Sequence, residues 1–306
     1  MYEKTKERLE ATMKITNRLN LPEALVKAVS VERHNKPGSY SATTLLKGVK
    51  ETILQERHWE ELETDVSDSI WAVWGTAVHA IFENMKDNTF HEEYFEQEVN
   101  GLLITGRVDS YDLENETLND WKTASVYKIM KQDFKDWRRQ GLIYAWLMNK
   151  AGLKVRKCRF IALLKDHSKT KAKTDVGYPQ SPTFVYEFDV TEDALVEVGH
   201  FIEQKVNALK FNYELPDDEI SECTADERWC DPPKFAVMKK GRKTALKLFD
   251  DETLANAFIE LQPDKTACSV EYRPSISRKC SEYCACHNFC NFWKNEQKAL
   301  EAKDKE

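Results

Sequence analysis

Asp109, Asp120 and Lys122 are the residues of this 306-residue chain whose types and spacing most directly suggest chemistry. They lie in two short segments, Gly106-Arg107-Val108-Asp109 and Asn119-Asp120-Trp121-Lys122. Alternating side chains on a strand put Asp120 and Lys122 on one face. Two carboxylates and an ammonium converging from neighbouring strands make a divalent-metal site with a cation beside it. Hard oxygen ligands suit Mg²⁺ or Mn²⁺, a bound metal activates water, and positive charge stabilises a developing phosphorane. Those are the parts that phosphodiester hydrolysis requires.

Two helical segments supply further candidates. In Gly75-Thr76-Ala77-Val78-His79, His79 can add an imidazole ligand. In Gln140-Gly141-Leu142-Ile143-Tyr144, Gln140 and Tyr144 are four apart and so share a helix face. Each piece taken singly has a bland reading: a surface ion pair for Asp120 and Lys122, a structural histidine, an ordinary helix edge. In order and spacing, however, Gly75-x-x-x-His79, Gly106-x-Val108-Asp109, Asp120-x-Lys122 and Gln140-x-x-x-Tyr144 resemble the RecB-type exonuclease branch of the PD-(D/E)xK nucleases. The resemblance covers roughly residues 40–165. It implies a restriction-endonuclease-like core, with His79, Asp109 and Asp120 on the metal and Lys122 as catalytic lysine. Gln140 and Tyr144 would support the site. Val108 stands where the superfamily name has proline.

Cysteine placement marks a second centre. None of the eight precedes Cys158, and seven lie between Cys223 and Cys290. The group Cys280-x3-Cys284-x5-Cys290 is compact, and thiolates so close favour metal ligation over inert packing. Nuclease relatives associated with helicases and with CRISPR systems carry an iron–sulfur cluster on three C-terminal cysteines and a fourth before the nuclease motifs. That upstream cysteine is missing here. Cys223 is the substitute, with Cys230 behind it and Cys286 and His287 in reserve. A 4Fe–4S cluster is favoured through the resemblance, and tetrahedral Zn²⁺ remains the alternative.

Charge is segregated. Residues 1–119 carry 13 basic and 22 acidic side chains, residues 120–173 carry 15 and 4, and residues 174–306 carry 17 and 26. The middle segment, net +11, begins at Asp120. An anion-attracting surface around the candidate site is therefore expected despite a total of −7. Lys128, Lys131, Lys135, Arg138 and Arg139, together with Lys165, Lys169, Lys171 and Lys173, are candidates to grip phosphates. The tract Lys234–Lys247 holds six basic residues and no acid, and suits a DNA clamp or a solvated loop equally well.

The elements that must position these residues follow from periodicity. Helical patterns cover residues 1–35, 41–57 and most clearly 67–85, where Ile70, Trp71, Trp74, Val78, Ile81, Phe82 and Met85 recur at helical spacing. Strands are expected at 94–99 and 102–111 around an Asn100-Gly101 turn, then at 117–122. A long helix at 126–150 stops at Gly152. A strand at 155–164, a polar loop to Pro182, a strand at 183–190 and a helix to about 211 complete the pattern. The fold class is α/β, a mixed sheet flanked by helices, with a helical N-terminal region (1–66), the nuclease core (67–212) and a loop-rich, cysteine-rich, metal-binding region (213–306).

The function implied is a divalent-metal-dependent DNA nuclease, an exonuclease of recombination, repair or phage replication acting on DNA with a free end. Two rivals are a non-catalytic nuclease-fold DNA-binding subunit with a structural metal cluster and a CRISPR-adaptation nuclease. No phosphate-binding glycine-rich loop with lysine occurs, so translocation would need a helicase or other recombination partner. No apolar run approaches the ~18 residues of a membrane helix, and Met1-Tyr2-Glu3-Lys4 begins no apolar signal. A soluble protein of the bacterial or phage-infected cytosol is expected, without a membrane partner.

Overall fold

Asn100 and Gly101 adopt φ values of 48° and 85°, the paired positive angles that a two-residue hairpin turn needs. They join β4 (Thr89–Val99) to β5 (Leu102–Asp112) in an antiparallel ladder. The structure is a computed structural model and describes residues 13–30, 38–83, 85 and 89–303. The chain divides into one unit of residues 1–220 and another of residues 221–306.

In the first unit the central mixed sheet has six strands. Strand β5 pairs with β4 along one edge; along the other it meets β2 (Ser39–Ser41), parallel, and β6 (Thr117–Ala124), antiparallel. Then come β7 (Lys157–Leu164), parallel to β6, and β8 (Thr183–Asp189), antiparallel to β7. The parallel β6–β7 step demands a crossover, and the expected long helix fills it in two pieces. It breaks at Gln132, which is left-handed with φ of 52°, between α5 (Val126–Lys131) and α6 (Lys135–Lys150). The break seats the Phe134 ring on Tyr186 and Phe184 of β8 and on Trp137.

The expected N-terminal helix is corrected over its described part. Lys14–Thr16 forms β1, parallel to β3 (Glu63–Asp65), and only Glu23–Val29 (α1) is helical. The side chain of Asn17 bonds the backbone of Leu21 in both directions, and this local turn competes with a helix. Residues 1–12 and 31–37 lie outside the described residues. The 41–57 region is split by Gly48 into α2 (Ala42–Leu45) and α3 (Val49–Arg57). The clearest expected helix is α4 (Ile70–Glu83), and the loop after β7 contains the short α7 (Lys169–Thr174). Helix α8 (Glu192–Tyr213) opens on Thr191, whose hydroxyl accepts from Ala194 N at 3.2 Å.

The core lies between α6 and the sheet. Cys158, Phe160, Ala162 and Leu164 of β7 point into it, as do Ile143, Leu147 and Met148 of α6. Close approach of α6 depends on two glycines. A β-carbon on Gly106 would meet Tyr144 and Leu147 at 2.8 Å, and one on Gly141 would meet Phe160 at 3.0 Å.

The second unit is more regular than its sequence suggests. Strands β10 (Lys234–Lys239), β11 (Lys247–Phe249) and β12 (Cys268–Arg273) form an antiparallel sheet, β10 in the middle. Helix α9 (Glu252–Glu260) packs on it through the Phe249–Phe258 ring contact. A two-strand pairing of β9 (Cys230–Asp231) with β13 (Ile276–Ser277) leads into α10 (Arg278–Glu282), and α11 (Asn291–Lys303) follows. The Lys234–Lys247 tract thus supplies the middle strand, the Gly241 turn and the start of β11.

Gly106→Ala is expected to lower unfolding stability by about 1–3 kcal/mol, as overpacking does when ring and leucine must both shift. Denaturant melts measure it, and unchanged stability would show that α6 can retreat freely.

Candidate active site at the strand fork

Strands β5 and β6 pair only from Ser110–Asn119 to Asp112–Thr117. Beyond Ser110 they part, and β2 takes the place beside β5 from Leu103 to Thr105. Asp109 and Asp120 are the next residue on each strand, so both carboxylates stand in the fork. A parted strand must satisfy its backbone groups elsewhere. Trp121 N donates to Asp109 Oδ2 at 2.7 Å, and the carboxylate replaces a ladder partner.

Helix α4 brings the imidazole. Phe82 stacks on Trp121 with ring centroids 4.3 Å apart, and Gly75 passes close to the Thr123 hydroxyl. His79, on the same face, reaches Asp109 Oδ1 at 3.2 Å and Glu92 Oε1 at 3.5 Å through Nδ1. One ligand atom each from His79, Glu92 and Asp109 lie within 4.8 Å of one another. The sequence-expected metal set had Asp120 in place of Glu92. Asp120 instead pairs with the Lys122 ammonium, which donates to its Oδ2 at 3.0 Å.

Glu92 escaped the sequence reading although the signal was present. Counting seven residues outward from the Val99–Leu102 pair reaches Glu92 on one strand and Asp109 on the other. Glu92 has φ of 54°, and the ladder skips the Glu92–Asp109 step. A non-glycine residue in the left-handed region is locally strained.

The electrostatics call for a cation. Asp109 first, then Glu92, hold the His79 imidazolium up to about 10, against the opposing effect of burial. Burial pushes the Asp120 carboxyl well above its usual range; Lys122 opposes that shift and Asp109 adds to it. The Lys122 ammonium also touches Asp120 Oδ1, so the buried carboxylate is tied to the lysine through both oxygens. Proton and ammonium thus occupy the space where a divalent ion would balance three acids. Imidazole plus carboxylates suit Mn²⁺ or Mg²⁺, so the donor set fits the metal that the motifs imply.

Gln140 and Tyr144 lie buried on α6, Gln140 Nε2 donating to the Tyr144 hydroxyl at 2.9 Å. Burial raises the Tyr144 pKa, and Asp120, Asp109 and Glu92 push the same way, so the phenol stays protonated within their field. Of the basic candidates, Arg138 and Arg139 lie over the rings of Phe188 and Phe201, and Lys128 pairs with Asp136. Lys131, Lys135, Lys165, Lys169, Lys171 and Lys173 are exposed.

In the second unit, burial first and then Cys284, Cys223 and Cys290 push the Cys280 thiol up to about 12. The four expected ligands therefore share one electrostatic neighbourhood. Cys286 is buried, its sulfur 3.5 Å from that of Cys284. Among the described residues no three cysteine sulfurs lie within 4.8 Å of one another. Tetrahedral zinc with bonds of about 2.3 Å needs sulfurs about 3.8 Å apart.

No protein-family model matches the chain, and no curated protein matches its sequence. Solved structures that are similar to it include the following three. The protein designated SSO0001 is 17% identical over 62% of this chain and 88% of its own, with a TM-score of 0.43. An alkaline exonuclease from Laribacter hongkongensis is 12% identical over 58% and 90%, with a TM-score of 0.37. A phage-related exonuclease from Haemophilus somnus is 11% identical over 56% and 95%, with a TM-score of 0.35. Among the described residues no helix is long and apolar enough to cross a membrane.

The site predicts a specific pH dependence. Without metal, the stabilisation from charged His79 is complete below about pH 6.5 and is lost as pH rises through about 10. A metal takes His79 only as neutral imidazole, so Mn²⁺ affinity should rise about tenfold per pH unit below that value, with proton release. Calorimetry in buffers of different ionisation enthalpy reads both. His79→Ala should flatten the dependence, and Glu92→Gln should weaken Mn²⁺ at least about tenfold. Full affinity in Glu92→Gln would remove Glu92 from the ligand set.

Proposed function

We propose that this chain is a divalent-metal-dependent deoxyribonuclease with a restriction-endonuclease-like core, acting as an exonuclease on DNA ends. The observation that carries the reading is the fork itself. It gathers His79, Glu92 and Asp109 around one point and sets the Asp120–Lys122 pair beside them. Surface ion pairs do not collect three buried or half-buried acids around so few cations. The order of motifs along the chain, which resembles the RecB-type branch, supports the same reading.

His79, Glu92 and Asp109 would hold the metal, with Asp120 turned toward the same space. When bound, Mg²⁺ or Mn²⁺ supplies an activated water and polarises the phosphate. Lys122 is only partly buried and is held by Asp120. Its ammonium can therefore meet the charge that builds on phosphoryl oxygen as the bond to the leaving oxygen breaks. Tyr144 and Gln140 would support the site: Gln140 donates to the Tyr144 hydroxyl and holds the phenol within the field of the carboxylates.

For the cysteine-rich unit, Cys223, Cys280, Cys284 and Cys290 are assigned to a 4Fe–4S cluster. Their shared electrostatic neighbourhood supports a common site, and the likeness of the Cys280-x3-Cys284-x5-Cys290 end to the cluster-binding end of the RecB-type relatives supports iron–sulfur over zinc. The cluster would staple that unit onto itself, because all four ligands lie within residues 221–306.

Lys122→Ala or Asp120→Ala should reduce cleavage of end-labelled linear DNA in Mn²⁺ by at least about a hundredfold. DNA binding should persist, since phosphate contacts are spread over many basic residues. Wild-type activity in either variant would sink the assignment, and equal cutting of closed circles would replace exonuclease by endonuclease. Anaerobically purified chain should carry about four irons, and chelating them should unfold the second unit before the first. One zinc and no iron would keep the staple and change its identity; normal metal content in a Cys223→Ser/Cys284→Ser double variant would discard it.

A further inference from the structure

The helix that delivers His79 leaves an apolar flank in solvent. Trp71, Trp74, Val78 and Ile81 succeed one another at three- and four-residue intervals, which keeps them on one side of α4, and Met85 lies just beyond its end. Trp71 and Trp74 are each 54% exposed, Ile81 59% and Met85 51%. This side adjoins the face that carries Gly75, His79 and Phe82 and does not coincide with it. Packing on the sheet therefore does not explain the two tryptophans. Large apolar surface left in water marks a contact site.

The surroundings say what kind of contact. The Lys165 ammonium lies 4.0 Å from the centroid of the Trp71 ring. Lys165 N bonds Ala124 O, so this pair sits at the end of the strand bearing Asp120 and Lys122. Helix α7, a few residues on, exposes Lys169, Lys171 and Lys173 and contains no acid. At the other end of the flank, Phe82 and Met85 line a trough of about 290 Å³ shared with Trp121, Ile161, Asn119 and Arg159. Trp121 Nε1 is buried there without a hydrogen-bond partner. Aromatic faces bordered by ammonium groups are what unpaired nucleotides need: rings for base stacking, cations for phosphates. Bases inside a duplex already stack on each other and present a free face only at an end.

We propose that the exposed side of α4 is a docking surface for single-stranded DNA, with bases stacked on Trp71 and Trp74 and phosphates on Lys165 and the α7 lysines. The proposal names the substrate form for the nuclease site and rests on that reading for the choice of DNA. A strand lying along this flank passes the His79 face of the same helix. Unpaired nucleotides are thereby delivered to the fork from the side of Lys165.

The test uses the full chain as purified, without added Mg²⁺ or Mn²⁺, with a fluorescent oligothymidylate of about 20 nucleotides and a blunt duplex of equal length, followed by anisotropy. Trp71→Ala/Trp74→Ala should weaken oligothymidylate binding at least about tenfold and leave the duplex within about twofold. Trp71→Phe/Trp74→Phe should retain most of the affinity, because a smaller ring still stacks. Lys165→Gln should lower the log–log salt slope by about 0.7. Photocrosslinking of wild-type chain to an iododeoxyuridine-substituted strand needs no variant and should map to the peptide carrying Trp71 and Trp74. Wild-type chain that ignores the single strand, or alanine variants that bind it equally well, would overturn the proposal. So would adducts confined to other peptides, or a dimer dissociated by the alanine variants with strand binding intact. Tryptophan-dependent binding without any cleavage in Mn²⁺ would discard the nuclease reading and leave the docking surface. Cleavage with tryptophan-independent binding would do the reverse.

Discussion

The parting of β5 from β6 after the Ser110–Asn119 pair is the constraint on which the site depends. A continued ladder would place Asp109 and Asp120 opposite each other as an ordinary pair and give Trp121 N a carbonyl acceptor. Because the strands separate, the Asp109 carboxylate takes that N–H, and its other oxygen faces His79. The short β2 strand matters for the same reason. It occupies the vacated edge of β5 lower down and so keeps the fork from closing. Helix α6 then has to lie close enough to set Tyr144 over β5, which the missing side chain of Gly106 permits.

Concentrating Glu92, Asp109 and Asp120 this tightly disfavours the metal-free fold unless positive charge is imported. The chain imports two kinds. Lys122 is covalently fixed and stays; the proton on His79 is exchangeable and can give way to a metal. That division explains why one cation lies on the strand with the acids and the other on a neighbouring helix. On the proposed reading His79 would trade that proton for a metal, from a helix whose Phe82 stacks on Trp121.

What was legible in the sequence follows the range of the forces involved. The Asn100-Gly101 turn and the alternation around it are local, and β4, β5 and β6 stand where the pattern puts them. The convergence of His79 with Asp109 rested on motif order. Glu92 could be reached only by extending the hairpin register past the last clearly alternating residue, across a left-handed kink that no local pattern marks. The β1 strand was hidden because its pairing partner, β3, is some 50 residues away, while Met13, Ile15 and Leu19 are spaced as apolar residues of a helical pattern can be. The split at Gln132 is likewise tertiary, set by where Phe134 finds its rings on β8. In the second unit the cysteines dominated the reading and masked ordinary alternation in β10 and β12.

The left-handed turn of the backbone at Glu92 has a further effect, on the company the protein keeps. Among the described residues β4 is an outer strand of the sheet, eleven residues long. A straight outer strand of that length offers a row of unpaired N–H and C=O groups on which another chain can build. The kink interrupts this row at its fourth residue. The residue that turns a carboxylate inward thus also spoils the template outward. Straightening β4 would turn the Glu92 carboxylate away from His79 and lengthen the open edge in the same step.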